Sequence, residues 1–568
     1  MHRTEKPVWS SYPRPQMKRE KYITLNGIWK CNGKDILAPF PPQSELSGFK
    51  GEVTDVLEYK TTFLLPENFT QDRVILHFGA VDQIAEVWVN GHFLGKHEGG
   101  YLPFYFDITK VVEKSSENHL CVKATDTLDL NYPYGKQCKK RGGMWYTPVS
   151  GIWQTVWIEN VPDSYIEKVK ITPDLNGIDV KTVFGGEHIK KAGDGEKAGP
   201  CEKERSITYE ISLPDGTVFY GKLEKGCGRI EISNPRLWNV EDPYLYRMKI
   251  RMGQDQVETY FALRTIGIEK VDGINRVCLN GKPVFLHGVL DQGYFQDGIY
   301  LPLEAEEYER DVLRMKELGF NMLRKHIKIE PEAFYYACDR LGMLVVQDMV
   351  NNGPYSWTFD TALPTVGFKK RRDTKGDRNG KRQLIFKEHM EATLEHLYNH
   401  PSIVMYTIFN EGWGQFHSDA MYDMAKSLDD TRLYDSTSGW FAQKKNDFDS
   451  EHIYFKVIDL KVKERPMFVS ECGGYALPIE GHLFNPKNEY GYGKCKDSED
   501  LTERVAQMYR KMILPGIKKG ACGCVYTQLS DVEDEVNGLY TYDRQVCKVI
   551  KDRMQQVSNE LYREIEQC

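Results

Sequence analysis

The sequence predicts a multidomain chain of β and α/β parts: two β-sandwiches followed by a C-terminal (β/α)8 barrel. Three observations predict it. Up to residue 268 the chain is a succession of short apolar–polar alternations broken by Gly and Asn, with little helical period. Beyond Val271 the texture changes, and apolar runs alternate with amphipathic helical stretches. Eight such runs fall in the roughly 300 residues that remain, which is the strand count of a (β/α)8 barrel. They read as buried on both faces, as parallel strands are. A doubly wound sheet is the structural alternative for the same alternation. At 568 residues, the usual ~100–200 residues per domain gives three to five units, fewer where one is a barrel.

The first sandwich is expected over 1–162. Arg73–Phe78 and Ala85–Val89 read as strands, and Asn90-Gly91 then signals a type I′ hairpin into His92–Gly95. Leu102–Ile108 and His119–Lys123 continue the pattern. The second sandwich, immunoglobulin-like, is expected over 163–268, with strands at Ile166–Ile171, Ser206–Leu213, Arg229–Ile232 and Leu245–Arg251. Gly185–Glu204, rich in Gly, Lys and Glu, reads as an exposed loop, and no Cys201–Cys227 disulfide is expected. The barrel is expected over 269–568. Its strand runs are Val284–Val289, Met322–Arg324, Met343–Gln347, Ile403–Phe409, Tyr434–Ser436, His452–Phe455, Met467–Ser470 and Gly523–Gln528. Helices are expected at Ala305–Leu318, Pro331–Leu341, Phe386–Tyr398, Asp419–Leu428 and, closing the chain, Val546–Glu566.

Composition narrows the function classes. The net charge is −7, and the basic runs Lys139–Arg141 and Lys369–Arg372 are short solvated loops, so nucleic acid is not an expected partner. The 13 cysteines lack metal-ligand spacing; Cys522-Gly523-Cys524 has no companion pair, and free thiols in a reducing compartment are expected. No apolar run has the length of a signal peptide or a membrane span, so the expectation is a cytoplasmic protein with no membrane partner. Aromatic residues make up 12% of the chain, a composition compatible with sugar ligands.

In a barrel, chemistry collects at the C-terminal ends of the strands. The fourth run ends Phe409-Asn410-Glu411-Gly412-Trp413, and the seventh ends Ser470-Glu471-Cys472-Gly473-Gly474. A Glu directly after a buried strand destabilises the fold unless it is paired or used. Two of them facing one pocket are the equipment of glycoside cleavage: one acid protonates the departing oxygen, the other attacks the anomeric carbon or activates water. Asn410 would hydrogen-bond a hydroxyl beside the reacting carbon. After the last run come Gln528 and Asp531, another polar cluster at a strand end.

These motifs resemble glycoside hydrolase family 2, which includes β-galactosidases, β-glucuronidases and β-mannosidases. The resemblance covers essentially the whole chain. Leu25–Trp29, Val87–Gly91, His97–Tyr101 and Ser150–Trp157 resemble the family's jelly-roll sugar-binding-like domain. Leu237-Trp238 and Asp242–Tyr246 resemble the close of its immunoglobulin-like domain, and Asn280–Gly288 the opening of its TIM barrel. Asn410-Glu411 matches the acid/base motif, and Ser470-Glu471 with Gly473 the nucleophile motif. The resemblance implies a retaining exo-β-glycosidase: Glu471 forms a covalent glycosyl-enzyme, and Glu411 protonates the leaving oxygen, then deprotonates water. Arg324, matching an Asn-x-x-Arg pattern from Asn321, would hold Glu471 ionised.

The chain also departs from the family. Asp291 stands where a Gly-Val-Asn-x-His motif often contacts substrate, and Arg324-Lys325-His326 brings the histidine one place early. Glu535-Val536-Asn537 replaces the Asn-x-Lys that grips a uronic carboxylate, which disfavours a β-glucuronidase. Trp357, Trp413, Trp440 and Tyr454 are candidates for stacking on sugar rings, Tyr454 also for a hydrogen bond to the nucleophile. The expected substrate residues are therefore Asn410, Arg324, Asp291, His326, Trp413, Tyr454, Gln528 and Asp531. No cofactor or metal is expected; a homo-oligomer is compatible with the family. The chain ends soon after the barrel, so any further wall of the pocket is expected from the N-terminal domain or a neighbouring subunit. A β-galactosidase is the default. β-Glucosidase, β-mannosidase, exo-β-glucosaminidase, β-glucuronidase, an inactive carbohydrate-binding homologue and an unrelated barrel hydrolase are the alternatives.

Overall fold

The computed structural model of the chain describes residues 8–186, 207–375, 379–454 and 456–568. The first β-sandwich packs two antiparallel sheets. One has six strands in the order Lys34–Ala38, Gly27–Cys31, Val56–Phe63, Asn118–Thr125, Ile84–Val89, His92–Glu98. The other has four: Tyr22–Thr24, Val156–Val161, Arg73–Phe78, Phe104–Asp107. Alternation does the work. Leu57, Tyr59 and Phe63 face inward from one strand and meet Leu76, Phe78 and Ile158 of the facing sheet. Each such side chain stabilises the fold by about 1.5–3 kcal/mol. Asn90 and Gly91 have φ of 50° and 80°, as the type I′ turn requires.

The second sandwich sets three strands (Tyr165–Pro173, Gly177–Gly185, Cys227–Glu231) on four (Val218–Leu223, Ile207–Ser212, Tyr246–Met252, Asp255–Phe261). Nearly all of the loop expected at Gly185–Glu204, with Cys201, lies outside the described residues. Cys227, like every described cysteine, is a free thiol.

Each of the eight expected runs overlaps a strand of one parallel sheet: β1 Leu286–Asp291, β2 Met322–Lys325, β3 Leu344–Asp348, β4 Ile403–Asn410, β5 Leu433–Ser438, β6 Asp449–Ile453, β7 Met467–Cys472 and β8 Ala521–Tyr526. The sixth, expected at His452–Phe455, starts and ends earlier, and Phe455 lies outside the described residues. Ladders join them in the order β5-β4-β3-β2-β1-β8-β7-β6. Among the described residues no ladder joins β5 to β6. The gap is spanned by one backbone bond, Asp447 N–H to Tyr434 O at 3.1 Å. Side chains complete it: Asn446 Nδ2 donates to Asp435 Oδ1 at 3.0 Å, Ser450 Oγ to Asp435 Oδ2 at 2.7 Å, and His452 Nε2 meets Ser438 Oγ at 3.0 Å. A hairpin, Ile266–Val271 with Ile274–Leu279, stops the N-terminal end of the barrel, its Val277 and Leu279 packing with Leu286, Met322 and Phe468.

The helices include Glu306–Glu317, Glu332–Leu341, Gly380–Leu397, Ser418–Leu428, Ser498–Met508 and Lys551–Glu566. Among the described residues none follows β5 or β6. Two boundaries differ from expectation. The third helix starts before Phe386 because the Asn379 side chain caps it, accepting from Arg382 N at 3.2 Å. The last helix starts at Lys551, not Val546. Lys548 is fully buried and donates to Leu477 O, Val536 O and Asp531 Oδ1 at 3.0, 3.0 and 2.6 Å, which draws the preceding segment into the barrel mouth. No helix of the described residues is long and apolar enough to cross a membrane.

Candidate active site

Glu411 follows β4 with φ +53°, a left-handed conformation that costs a residue with a Cβ roughly 1–2 kcal/mol. Two bonds hold it there: Glu411 N–H to Ser438 O, and Trp440 Nε1–H to Glu411 O, each 3.0 Å. The turn carries the side chain into the barrel mouth. Glu471 reaches the same space from β7. Parallel register sets His452 of β6 beside Glu471, and Ser438 of β5 beside Asn410. An oxygen of Glu411, an oxygen of Glu471 and a nitrogen of His452 lie within 4.8 Å of one another.

Arg324, on β2, lies completely buried beneath this group. Its Nε and Nη2 grip Asp348 (3.0 and 3.1 Å), Nη1 donates to Ser470 O and Glu471 Oε1 (2.9 and 3.1 Å), and Nη2 to Asn410 Oδ1 (2.9 Å). One guanidinium thus ties β2, β3, β4 and β7. An arginine only donates, so Asn410 must turn its oxygen toward it and its NH2 elsewhere. Burial alone would raise the Glu471 carboxyl, but the facing His452, Arg324, His326 and the Tyr454 hydroxyl outweigh it and hold it at about 2. Tyr454 Oη–H donates to Glu471 Oε2. His326 gives its Nδ1–H to Asp348 Oδ2 at 2.7 Å, since a carboxylate only accepts; burial outweighs Asp348 and lowers the imidazole's affinity for a second proton. Its Nε2 is left as an acceptor.

Above the carboxylates lies a cavity of about 350 Å³. Of the residues expected at the site, Glu411, Glu471, Asn410, His326 and Tyr454 line it, with Trp357 and Trp440. Arg324 acts from behind. Four others do not line it, each because a partner claims the side chain. The carboxylate of Asp291 is bound by Lys325 Nζ (2.6 Å) and Gly293 N (2.8 Å). Asp531 is bound by Lys548 and Gly538 N. Gln528 Nε2 donates to Asn537 Oδ1 at 2.8 Å. Trp413 is packed under Trp145 and Tyr355, its Nε1–H on Tyr134 Oη and Gly353 O, both 3.1 Å.

Other residues absent from the expected substrate set also shape the site. His452, buried beneath the cavity, contacts both carboxylates. Glu535, bonded by the Tyr146 hydroxyl and by Asn537 Nδ2 (3.0 Å), lines the cavity, and burial raises its carboxyl. Lys136 comes from the first sandwich, as does Met144, and its charge acts on both His326 and Glu535. Glu411, His452 and Glu471 are also the grouping whose donor atoms a cation would need. His452 Nδ1 already bonds Glu411 Oε1 at 2.8 Å within that grouping.

Comparison with known proteins gives three family matches: "Glycosyl hydrolases family 2, TIM barrel domain" over residues 270–467, "Glycosyl hydrolase 2 galactose-binding domain-like" over 49–148, and "Glycosyl hydrolases family 2" over 164–264. A β-galactosidase of Thermoanaerobacter pseudethanolicus is 25% identical over 387 residues, 66% of this chain and 47% of its own. A β-glucuronidase of Bacteroides fragilis is 27% identical over 373 residues, 62% of this chain and 49% of its own. The chain thus spans half or less of the length of these curated relatives. Among solved structures, a β-D-glucuronidase of Dictyoglomus thermophilum superposes with TM-score 0.75 at 18% identity, covering 96% of this chain and 98% of that one. A Ruminococcus gnavus β-glucuronidase bound to uronic isofagomine gives 0.74 at 18%, covering 96% and 99%. At that identity the likeness establishes the fold.

Proposed function

The chain belongs to glycoside hydrolase family 2, and from that premise we propose that it is a retaining exo-acting β-glycosidase, with Glu471 as nucleophile and Glu411 as acid/base. One observation carries the mechanism: the carboxylate oxygens approach within 4.8 Å, while Arg324 and Tyr454 converge on Glu471 alone. Retaining enzymes hold their carboxyl groups ~5–5.5 Å apart; inverting enzymes need ~6.5–9.5 Å to admit a water. An oxygen of Glu471 bonds to the anomeric carbon as the bond to the aglycone oxygen breaks. That oxygen keeps the electron pair and takes the proton of Glu411. Water then gives a proton to Glu411 and its oxygen to the anomeric carbon, and Glu471 leaves as carboxylate. The Asn410 NH2, released by Arg324's hold on its oxygen, donates to a neighbouring hydroxyl, and His326 Nε2 accepts from another.

Leaving-group dependence tests the assignment of Glu411. In Glu411→Gln the glycosylation step should slow by about 10²–10⁴-fold on alkyl β-glycosides, which need the acid. Dinitrophenyl glycosides, whose phenolate departs unaided, should form the glycosyl-enzyme at close to the wild-type rate. An equal loss on both would remove Glu411 from the role.

For the sugar, β-galactoside is the default. A second reading, an acidic sugar, is favoured by Lys136, the cation that the barrel's own Glu535–Asn537 segment lacks. A panel of nitrophenyl β-glycosides separates the two. If the sugar is a uronide, Lys136→Ala should lower kcat/KM on the β-D-glucuronide by about 10–100-fold, the worth of a charged hydrogen bond. Activity on the β-D-galactoside should be nearly unchanged. Preference for galactoside with no effect of Lys136→Ala would leave the default.

A further inference from the structure

The reaction moves one negative charge from Glu471 to Glu411. We propose that His452 is the positioning residue for that transfer: its Nδ1–H donates to Glu411 Oε1, leaves Oε2 as the proton-bearing oxygen toward the cavity, and remains as donor once Glu411 has ionised. The inference rests on the roles proposed above for Glu411 and Glu471.

The geometry is closed on every side. His452 Nδ1 lies 2.8 Å from Glu411 Oε1, and Nε2 lies 3.0 Å from Ser438 Oγ and 3.5 Å from Glu471 Oε1. The side chain is fully buried, with the Trp440 ring edge-on at 5.3 Å and the Tyr454 ring at 6.0 Å. Rotating the ring would set carbon against both carboxylates. The groups that face it are Glu411 after β4, Ser438 on β5 and Glu471 on β7. Asp435 acts from deeper on β5, and Arg324 stands on the far side of Glu471.

The proton inventory then selects the nitrogen. Suppose Nδ1 were bare. Glu411 would have to hold its proton on Oε1, pointed at the ring and away from any substrate. With Nδ1 protonated, Oε1 is the acceptor and Oε2 is free to carry the proton outward. Ser438 fits either remaining state of the ring, because a hydroxyl can donate to a bare Nε2 or accept from Nε2–H. Nδ1–H is therefore common to the neutral and charged forms. When the aglycone oxygen takes the Oε2 proton, Glu411 becomes a carboxylate. The Nδ1–H bond becomes charge-assisted, roughly twice as strong as a neutral one. Glu471 meanwhile loses its charge to the ester. The same ring thus stands between the carboxylate that is neutralised and the one that ionises.

Two variants test this. His452→Asn keeps a donor where Nδ1 stood; His452→Phe keeps the ring volume without nitrogen. On alkyl β-glycosides His452→Phe should lower kcat by about 10–100-fold, the loss of one charged hydrogen bond. Its basic limb in the pH profile should move to higher pH, because the ionised Glu411 loses its donor. Formation of the glycosyl-enzyme from dinitrophenyl substrates should be much less affected, and His452→Asn should recover most of both effects. Equal losses in both variants on every leaving group, with an unmoved limb, would reduce His452 to a packing residue and overturn the proposal. A readout independent of turnover is the ¹⁵N spectrum of histidine-labelled protein. A protonated Nδ1 whose signal vanishes in His452→Asn and shifts in Glu411→Gln is expected; a bare Nδ1 would overturn the proposal. Failure of the wild type on every β-glycoside would count against the glycosidase reading, while the spectrum would still decide the His452–Glu411 contact.

Discussion

Glu471→Ala is expected to lower kcat on aryl β-glycosides by on the order of 10⁴-fold or more, because it removes the nucleophile proposed to form the covalent intermediate. Folding should survive. Arg324 keeps both bonds to Asp348, and so is not left as an unpaired buried charge. A 2-deoxy-2-fluoro-β-glycoside with a dinitrophenyl leaving group gives the complementary result in the wild type. Fluorine destabilises positive charge on the ring in both steps, and the good leaving group restores only the first. The adduct should accumulate on the peptide carrying Glu471 and be absent from Glu471→Ala. An adduct elsewhere, or a variant retaining a tenth of wild-type activity, would sink the assignment.

Arg324→Met should be nearly as damaging, for a different reason. It removes the buried cation that Asp348 and Glu471 share, leaving them, among the described residues, only His326, Tyr454 and His452 as partners. Breaking a buried pair in this way costs about 3–5 kcal/mol. Calorimetry should show it as a lower unfolding temperature, alongside a loss of at least about 100-fold in kcat/KM. Arg324→Lys keeps the charge but not the planar fork that reaches Asp348, Glu471, Ser470 and Asn410 together. It should therefore recover more stability than activity. A lysine variant with wild-type kcat/KM would show that charge alone suffices.

The barrel was legible because parallel strands are buried on both faces and so appear as apolar runs. Glu411 and Glu471 were legible because a carboxylate directly after such a run is conspicuous. What a strand end does not reveal is the direction of a side chain. Asp291, Gln528 and Asp531 are polar residues at strand ends, as expected, yet Lys325, Asn537 and Lys548 claim them, and those partners are fixed only by tertiary packing. Trp413 follows Glu411 by two residues and still turns into an aromatic cluster with Tyr134 and Trp145. His452 escaped notice for the opposite reason. It lies inside a strand run, where a histidine reads as core, and its importance depends on the register of β6 against β7 and on the neighbouring β5. Lys136 lies in another domain, far from the barrel in sequence, and carried no local signal.

The join between β5 and β6 has a mechanical meaning. Seven of the eight contacts around the ring are backbone ladders, stiff against sideways slip. The eighth is a single backbone bond with a clasp of side chains that includes Asn446, Ser450 and His452. A hoop with one clasp changes its girth there first, and among the described residues no helix buttresses it from outside. His452 is at once part of the clasp and the contact to Glu411, so loosening the hoop would draw the ring nitrogen away from the acid it orients. One imidazole thus takes part both in fastening the barrel and in aiming Glu411.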